Sequence, residues 1–378
     1  MRALPKHRAI SRELLAEISA GKYPTQTRLP SETQLVKRFG VSRPTVIRAL
    51  RDLQVDGFIE RRAGSGSYVR HRTSDASPAS RQFGLLVPAR GTTDIFELIC
   101  GELAAMARAE DYGVLWGSAP LAQEGIVLSA RDALNICAQF IEQRVAGVFF
   151  APFDLAGDEG KANSVIAERF RSAGIPVVLL DRDLLPFPHR STFDVVGIDN
   201  FGGGVVLAEH LIKLGCEQVA FVSQRHAAPS IDARIAGVRE VLLRREFTLR
   251  SDWVQLGDPD DVKFVRRLTA AKRWDAFICA NDLTAAKLMR RLEKVRVRVP
   301  EDVRVVGFDD AKYATLLGVS LTTIHQPTRD IAMTAFRAMR ERMTEPVLPV
   351  RNFLLSPRLI VRESCGAYLS APKRKRSR

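Results

Sequence analysis

The hydrophobic period changes once along the chain, and the change divides it. Up to about residue 70, apolar residues recur every three or four positions in short runs, the spacing of amphipathic helices. In "GVSRPTVIRALRDL" (40–53), Val46, Ala49, Leu50 and Leu53 line one face, while Arg43, Thr45, Arg48 and Arg51 line the other. The preceding "RLPSETQLVKRFG" has Ser31 and Gln34 at capping-box spacing, Leu35 and Phe39 on its apolar face, and Gly40 as a stop. Ser42 is placed to cap the next helix, and Pro44 sits in its first turn, where a missing N–H does no harm. Helix, glycine-containing turn, helix predicts a helix-turn-helix. "GFIERRAGSGSYV" then predicts two short strands, a hairpin or wing.

"HRTSDASPASRQ" (71–82) is polar, built of small residues and a proline, and reads as a linker. From Phe83 on, short apolar runs ("FGLLV", "YGVLWG", "AGVFFA", "PVVLLD", "VVGID", "QVAFVS", "DAFICA", "VRVVGFDD") alternate with helical patterns such as "FELICGELAAMARAED", "VVLAEHLIKLG", "IAGVREVLLRREF" and "TAAKLMRRLEKV". Apolar strands alternating with helices predict parallel sheet covered on both faces. The length of this section favours two linked α/β lobes over one. The expected organisation is a head (1–70), the linker (71–82), a two-lobed body (83–366) and a basic tail (367–378) that composition marks as disordered.

Charge sharpens this picture. The net charge is +14 over 378 residues, with 46% hydrophobic and 26% charged content. Residues 1–75 carry 15 Lys/Arg against 7 Asp/Glu, and the tail from 370 carries 5 Lys/Arg and no acid, leaving the body near neutrality. A basic head on a neutral body points to a polyanion bound at one end. With the second helix in a DNA major groove, Arg43 and Arg48 donate to guanine or phosphate, and Ser42 and Thr45 make shorter contacts. Gly64 and Gly66 let the wing approach the backbone, with Arg61 and Arg62 beside it. The five cysteines are odd in number and scattered, so they predict buried free thiols, not a disulfide framework or a zinc site. "MRALPKHRAISRELL" is charged, so no signal peptide is visible, and no apolar window is long enough to span a membrane. A cytoplasmic location is expected.

"LPSETQLVKRFGVSRPTVIRALRDLQVDGFIERRAGSGSYV" resembles the winged helix-turn-helix of the GntR family of bacterial transcription regulators, with "LPSE", "GVSR.T", "AL..L..DG" and "G.G.YV" in order. The resemblance covers roughly residues 5–70 and implies that Ser31, Glu32, Ser42, Arg43, Thr45 and Gly64 lie near DNA. Where many members carry an arginine this chain has Ile47, followed by Arg48.

In the body, polar residues cluster where strand carboxyl ends should open, which is where open α/β sheets bind ligands. These are Asp94 and Phe96, Asp181, Asn281 and Asp282, Asp309 and Asp310, with Arg234 and Gln326. Acids, amides and an arginine around a cleft, with Phe96 as a ring face, suit a small polyhydroxylated or heterocyclic ligand. Acids after strands also serve as helix caps, a role that Asp199 and Asp282 fit equally well. "VVGIDNFGGGVVLAEHLIKLGCEQVAFVS", "SIDARIAGVREVL", "DAFICANDLTAAKLMRRL" and "VPEDVRVVGFDDAKYATLLGVSLTTIHQP" resemble the ligand-binding core of LacI-type regulators, itself similar to periplasmic sugar-binding proteins. That likeness implies effector contacts from Asp181, Arg234, Asn281, Asp309 and Gln326, with Asp94 and Phe96 in the more divergent first lobe. Pro259 stands where several relatives carry an aromatic ring.

"GIDNFGGGVV" departs from GxGxxG and lacks the later acid of a dinucleotide site, so it reads as close helix packing. The six histidines show no catalytic or metal spacing. The expected architecture is α/β: an N-terminal winged helix-turn-helix plus a two-lobed periplasmic-binding-protein-like domain of parallel sheets covered by helices. The expected function is a ligand-responsive transcriptional regulator, a repressor. Its partners would be double-stranded operator DNA, a sugar-like small-molecule effector and a second copy of the chain as a homodimer, without a cofactor, a metal or a membrane. A solute-binding protein of a transport system is the alternative, and an enzyme would need a nucleophile or cofactor loop that the motifs do not supply.

Overall fold

The structure is a computed structural model that describes residues 6–19, 22–23, 27–55, 58–62, 65–69, 80–87, 94–117, 129–153, 160–225, 228–270 and 273–369. It divides into two compact units, Met1–Ala79 and Ser80–Arg378. The boundary falls inside the stretch expected to be linker: a strand already begins at Ser80, because Ser80 N donates to Arg144 O (3.1 Å). Residues 71–79, the tip glycine Gly64 and the tail from 370 lie outside the described residues.

In the first unit, helices α1 (Lys6–Ser19), α2 (Glu32–Phe39) and α3 (Arg43–Val55) precede strands β1 (Ile59–Arg62) and β2 (Gly66–Val69). The capping box forms: Gln34 N donates to Ser31 Oγ (3.3 Å), and Ser31 N donates to Gln34 Oε1 (2.7 Å). Gly40 closes α2 at φ 61°, a left-handed conformation for which glycine carries no Cβ penalty. Leu14, Leu35, Val46, Ala49, Leu50, Leu53 and Ile59 make the core. The wing is an antiparallel pair, Ile59↔Val69 through Arg62↔Gly66. Residues 27–29 add to its free edge, Leu29 N donating to Ser67 O (2.8 Å) and Val69 N to Thr27 O (3.0 Å).

The second unit holds two sheets. The first contains β3 (Ser80–Leu86), β4 (Gly113–Gly117), β5 (Val145–Phe150), β6 (Val177–Leu180), β7 (Asp194–Ile198) and β13 (Asn352–Leu355), all parallel, in the order β13-β7-β6-β5-β3-β4. The second contains β8 (Val219–Ser223), β9 (Val254–Leu256), β10 (Ala276–Cys279), β11 (Arg304–Asp309), β12 (Thr322–His325) and β14 (Arg358–Ile360), in the order β14-β12-β11-β10-β8-β9. The two orders are the same topology repeated, except that β14 runs antiparallel to β12. The eight sequence-predicted strands are β3 to β8, β10 and β11.

Helices α4 (Asp94–Ala109), α5 (Ala130–Glu142), α6 (Gly160–Ser172) and α11 (Thr328–Thr344) belong to the first sheet. Helices α7 (Asn200–Lys213), α8 (Ser230–Arg244), α9 (Val262–Thr269) and α10 (Asp282–Lys294) belong to the second. The chain therefore crosses between lobes three times: after Ile198 into α7, after His325 into α11, and between β13 and β14. Helices α7 and α8 meet backbone to backbone. A Cβ at Gly204 would lie 2.2 Å from Arg234 O, and one at Gly237 would lie 2.1 Å from Phe201 O. Gly203 lies against the Phe308 ring. The glycine run 202–204 thus serves close packing, on a neighbouring helix as well as on the sheet.

Fully buried Asp194 braces the first lobe, accepting from Arg342 Nη2 (2.7 Å), Arg351 Nη2 (3.0 Å) and Arg351 N (2.8 Å). All five cysteines are buried.

Candidate functional sites: a basic helix face and an interlobe cleft

In the head, Arg43 opens α3 with a side chain 72% exposed, and Arg48 and Arg51 are exposed on the same helix without an ion pair among the described residues. Burial of Val46, Ala49, Leu50 and Leu53 forces these arginines outward. Ser42 departs from the cap expected of it: its hydroxyl bonds the Thr45 hydroxyl (2.8 Å), leaving both at the helix start. Glu32 is half-buried, and its carboxylate accepts from Arg43 Nε (3.0 Å) and also from Arg61. It therefore ties α2, α3 and the wing together and orients two arginines. Arg62 lies over the Tyr68 ring (4.7 Å) and pairs with Glu60 (3.3 Å). Ser31 is the α2 cap, and Gly64 is outside the described residues. The result is an exposed cationic surface on a short helix and its adjoining hairpin.

In the body, the repeated topology places two acids at equivalent ends. Asp181 follows β6, the fourth strand of its lobe in chain order, and Asp309 ends β11, the fourth of the other. Both hold positive φ, 68° and 123°, and so does Asp310 at 58°. Such conformations in non-glycine residues are sparsely populated and gather at ligand clamps. Asp181 Oδ2 accepts from Arg182 Nε (3.0 Å), and Asp309 Oδ1 accepts from Gln326 Nε2 (2.7 Å) with Arg234 Nη2 at 3.9 Å. Arg234 itself donates to Asn200 Oδ1 (2.8 Å) and to Ala280 O, and its guanidinium stacks on the Phe308 ring at 3.5 Å. Asp181, Arg182, Arg234, Asp309 and Gln326 are all at least nine-tenths buried.

So much buried charge shifts protonation. Burial pushes the Asp309 carboxyl well above its ordinary value. Arg234 pulls it back only in part, while Asp282 and Asp181 add to the rise. Burial raises Asp282 as well, against hydrogen bonds from Thr323 (2.6 Å) and Ala311 N (2.8 Å). Burial also lowers Arg234, opposed by Asp309 and Asp181. Asp310 goes the other way: burial tends to raise it, but bonds from Arg362 and His325 (2.8 Å) outweigh that and hold it low. Two buried oxygens here have no hydrogen-bond partner among the described residues, Asp181 Oδ1 and Gln326 Oε1. Both accept, so the cleft asks for hydrogen-bond donors.

Of the residues singled out from sequence, Asp181, Arg234, Asp309 and Gln326 gather in this one cluster. Asn281 is otherwise engaged: its Oδ1 accepts from Thr284 N (2.8 Å) and caps α10. Of the two roles open to Asp282, cap or cleft acid, it takes the second and turns inward, whereas Asp199 caps α7 through Gly202 N (2.9 Å). Phe96 is buried, and its ring lies under Arg182 (5.6 Å), so it supports a cation and offers no open stacking face. Asp94 opens α4, and its side chain is not among the described parts. Asp282, named from sequence among the strand-end acids, joins the cluster, whereas Arg182 and Asn200 belong to it and were missed. Their only sequence signal is a second polar residue directly after a strand.

A winged head with an exposed basic helix, joined to a two-lobed receptor with a buried polar cleft, defines a ligand-responsive DNA-binding regulator of transcription. Comparison with known proteins agrees. The "Bacterial regulatory proteins, gntR family" model matches residues 6–69, and the "Periplasmic binding protein-like domain" model matches 208–365. The chain is 25% identical over 377 residues to the arabinose metabolism transcriptional repressor of Geobacillus stearothermophilus, covering 96% of this chain and 98% of that one. It is 30% identical over 244 residues to the HTH-type transcriptional repressor PurR of Vibrio parahaemolyticus, covering 64% of this chain and 69% of that one. Among solved structures, a CelR–cellobiose complex superposes with a TM-score of 0.63 at 23% identity, over 86% of this chain and 91% of that one. The transcription regulator GntR from Chromobacterium violaceum gives 0.60 at 21%, over 75% and 99%. The chain belongs to the bacterial transcriptional repressors that carry a LacI-type, periplasmic-binding-protein-like effector body, here with a GntR-family head. That membership displaces the transport alternative. Among the described residues, no helix is long and apolar enough to cross a membrane.

Proposed function

We propose that the protein is a homodimeric, cytoplasmic repressor that grips a two-fold operator with paired heads and loosens or tightens its hold when a sugar enters the interlobe cleft. The observation that carries the effector half is the pair of unpartnered buried oxygens, Asp181 Oδ1 and Gln326 Oε1, beside Asp309 and Arg234. Hydroxyl groups would donate to them and relieve a cost of about 1–3 kcal/mol each. The names of relatives support the same class: a repressor of arabinose metabolism, a cellobiose complex and a regulator with bound ribose. Arg43 and Arg48, with Ser42 and Thr45, would meet base edges and phosphates, and Arg62 would meet phosphate beside the wing; Ser31 and Glu32 would hold the helix start in place. The effector would be held by Asp181, Arg234, Asp309 and Gln326, with Phe96 acting through Arg182, and with Asp94 and the free amide of Asn281 at the margin. Three crossings between the lobes give the cleft its hinge, so closure on a ligand would move one lobe against the other.

A fluorescence-anisotropy titration of the protein on DNA from its own upstream region, repeated across a pentose and hexose panel, tests this. Operator affinity shifted by one sugar supports the reading, and an affinity indifferent to every sugar refutes it.

A further inference from the structure

One pocket of the body lies beside the polar cluster. Its walls are the segment after β6 (Leu185, Phe187, Arg190), the starts of α7 (Phe201) and α8, and the outer edge of the sheet at Leu354; Asp181 lies at the junction with the cluster. We propose that this pocket is a second subsite that holds the aglycone or second ring of a glycoside, making the effector a disaccharide or aryl glycoside, not a free monosaccharide. The inference rests on the sugar-effector reading and extends it.

Three observations carry it. Two rings deep in the cleft are already covered, Phe96 by Arg182 (5.6 Å) and Phe308 by Arg234 (3.5 Å), so neither offers a sugar an open face. The open rings are in the side pocket: Phe187 is half-buried and Phe201 is 37% exposed, with Leu185 37% and Leu354 50% exposed beside them. Large apolar side chains grouped around a concavity, with a cation such as Arg190 at the rim, are how a protein receives the C–H face of a ring and its peripheral hydroxyls. Second, the wall is prebuilt. The buried Asp183 carboxylate accepts from Leu185 N (3.1 Å) and Ser191 N (3.1 and 3.2 Å), fixing the segment that carries Phe187 and Arg190. A preorganised wall spares the ordering cost of binding. Third, Asp181 joins the two compartments: its Oδ2 is held by Arg182, while its buried Oδ1 has no hydrogen-bond partner among the described residues. One ligand could donate a hydroxyl to that oxygen and place its second ring between Phe187 and Phe201.

Isothermal titration of the full-length protein tests this with matched probes: D-glucose, D-xylose, L-arabinose and D-ribose, each against its p-nitrophenyl glycoside, with cellobiose added. For the sugar that binds, the glycoside should bind about tenfold tighter or better, the range a preorganised ring site contributes. Phe187→Ala and Phe201→Ala should each reduce that advantage to about threefold or less while leaving the monosaccharide affinity unchanged. Equal affinity for sugar and glycoside in the unsubstituted protein, or an advantage that survives in both variants, overturns the second subsite and leaves the sugar-effector reading standing. Binding of none of the probes overturns that reading, and the subsite with it.

Discussion

Replacement of Gly237 by alanine tests how the cleft is held in shape. The new Cβ would lie 2.1 Å from Phe201 O, 3.0 Å from Phe201 C and 3.1 Å from Val205 N, all backbone atoms of α7 that cannot rotate away. Ordinary contact requires roughly 1 Å more, so α7 and α8 must separate. Alanine returns about 0.5–1 kcal/mol of helix preference, but overpacking of this kind costs about 1–3 kcal/mol or more. The net loss is of order 1–2 kcal/mol, or roughly 2–3 °C in Tm for a unit of this size. The function should suffer as well, because separation pulls Asn200 at the start of α7 from Arg234 Nε, now 2.8 Å away. Gly101 is the control: nothing lies within 4 Å of its would-be Cβ in the middle of α4. Gly101→Ala should stabilise by about 0.5–1 kcal/mol. Differential scanning calorimetry reads both signs, and effector titration reads the cleft. A Gly237→Ala protein as stable as the unsubstituted chain, with full effector response, would refute the close-contact argument.

Arg43→Ala should weaken operator binding by about 1–3 kcal/mol and leave effector affinity intact, since its pair with Glu32 is exposed and is itself worth under about 1 kcal/mol; an unchanged gel-shift midpoint would contradict the placement of α3. Because burial holds Asp309 and Asp282 protonated above their ordinary range, at these two positions the folded ligand-free protein binds more protons than the unfolded chain, whose carboxylates ionise near pH 4. Their contribution to stability should therefore fall as pH rises from about 4 toward neutrality, and Asp309→Asn should remove its share of that fall; urea denaturation from acid to neutral pH with the same pH dependence in both proteins would argue against it. Asp194→Ala leaves Arg342 and Arg351 without their buried partner and should cost about 3–5 kcal/mol, measurable as a lower urea midpoint. A loss below about 1 kcal/mol would mean the brace is idle.

Much of this architecture is legible in the sequence for a specific reason. Most of the eight strands read from apolar runs are buried on both faces, so almost every side chain in them is hydrophobic: β5, β6 and β10 have no exposed position, and only the edge strand β4 is largely open. Strand β12 escaped that reading because its buried Thr322 and Thr323 are polar by design of the cluster, bonding Ser364, Arg362 and Asp282. Strands β13 and β14 are sheet edges with no fully buried position, β13 alternating in exposure, and β9 and β14 are only three residues long. In the head, capping box, turn and arginine face are local features and could be read locally, whereas the pairing of residues 27–29 with the wing is not local. The cleft was half legible. Asp181, Asp309 and Gln326 end their strands, as the open-sheet rule requires. Asn200 matters only because the chain crosses between lobes there and Arg182 only through its contacts with Asp181 and Phe96, and Asn281 was read as a ligand contact although its position, first before a helix, equally suits the cap it forms.

The most direct measurement is the affinity of the purified protein for its own upstream DNA as a function of salt, with and without a bound sugar. Log affinity should fall steeply with log salt, against a much weaker hold on random duplex, and the sugar should displace the whole curve. A flat salt response, or equal affinity for any duplex, would contradict the account.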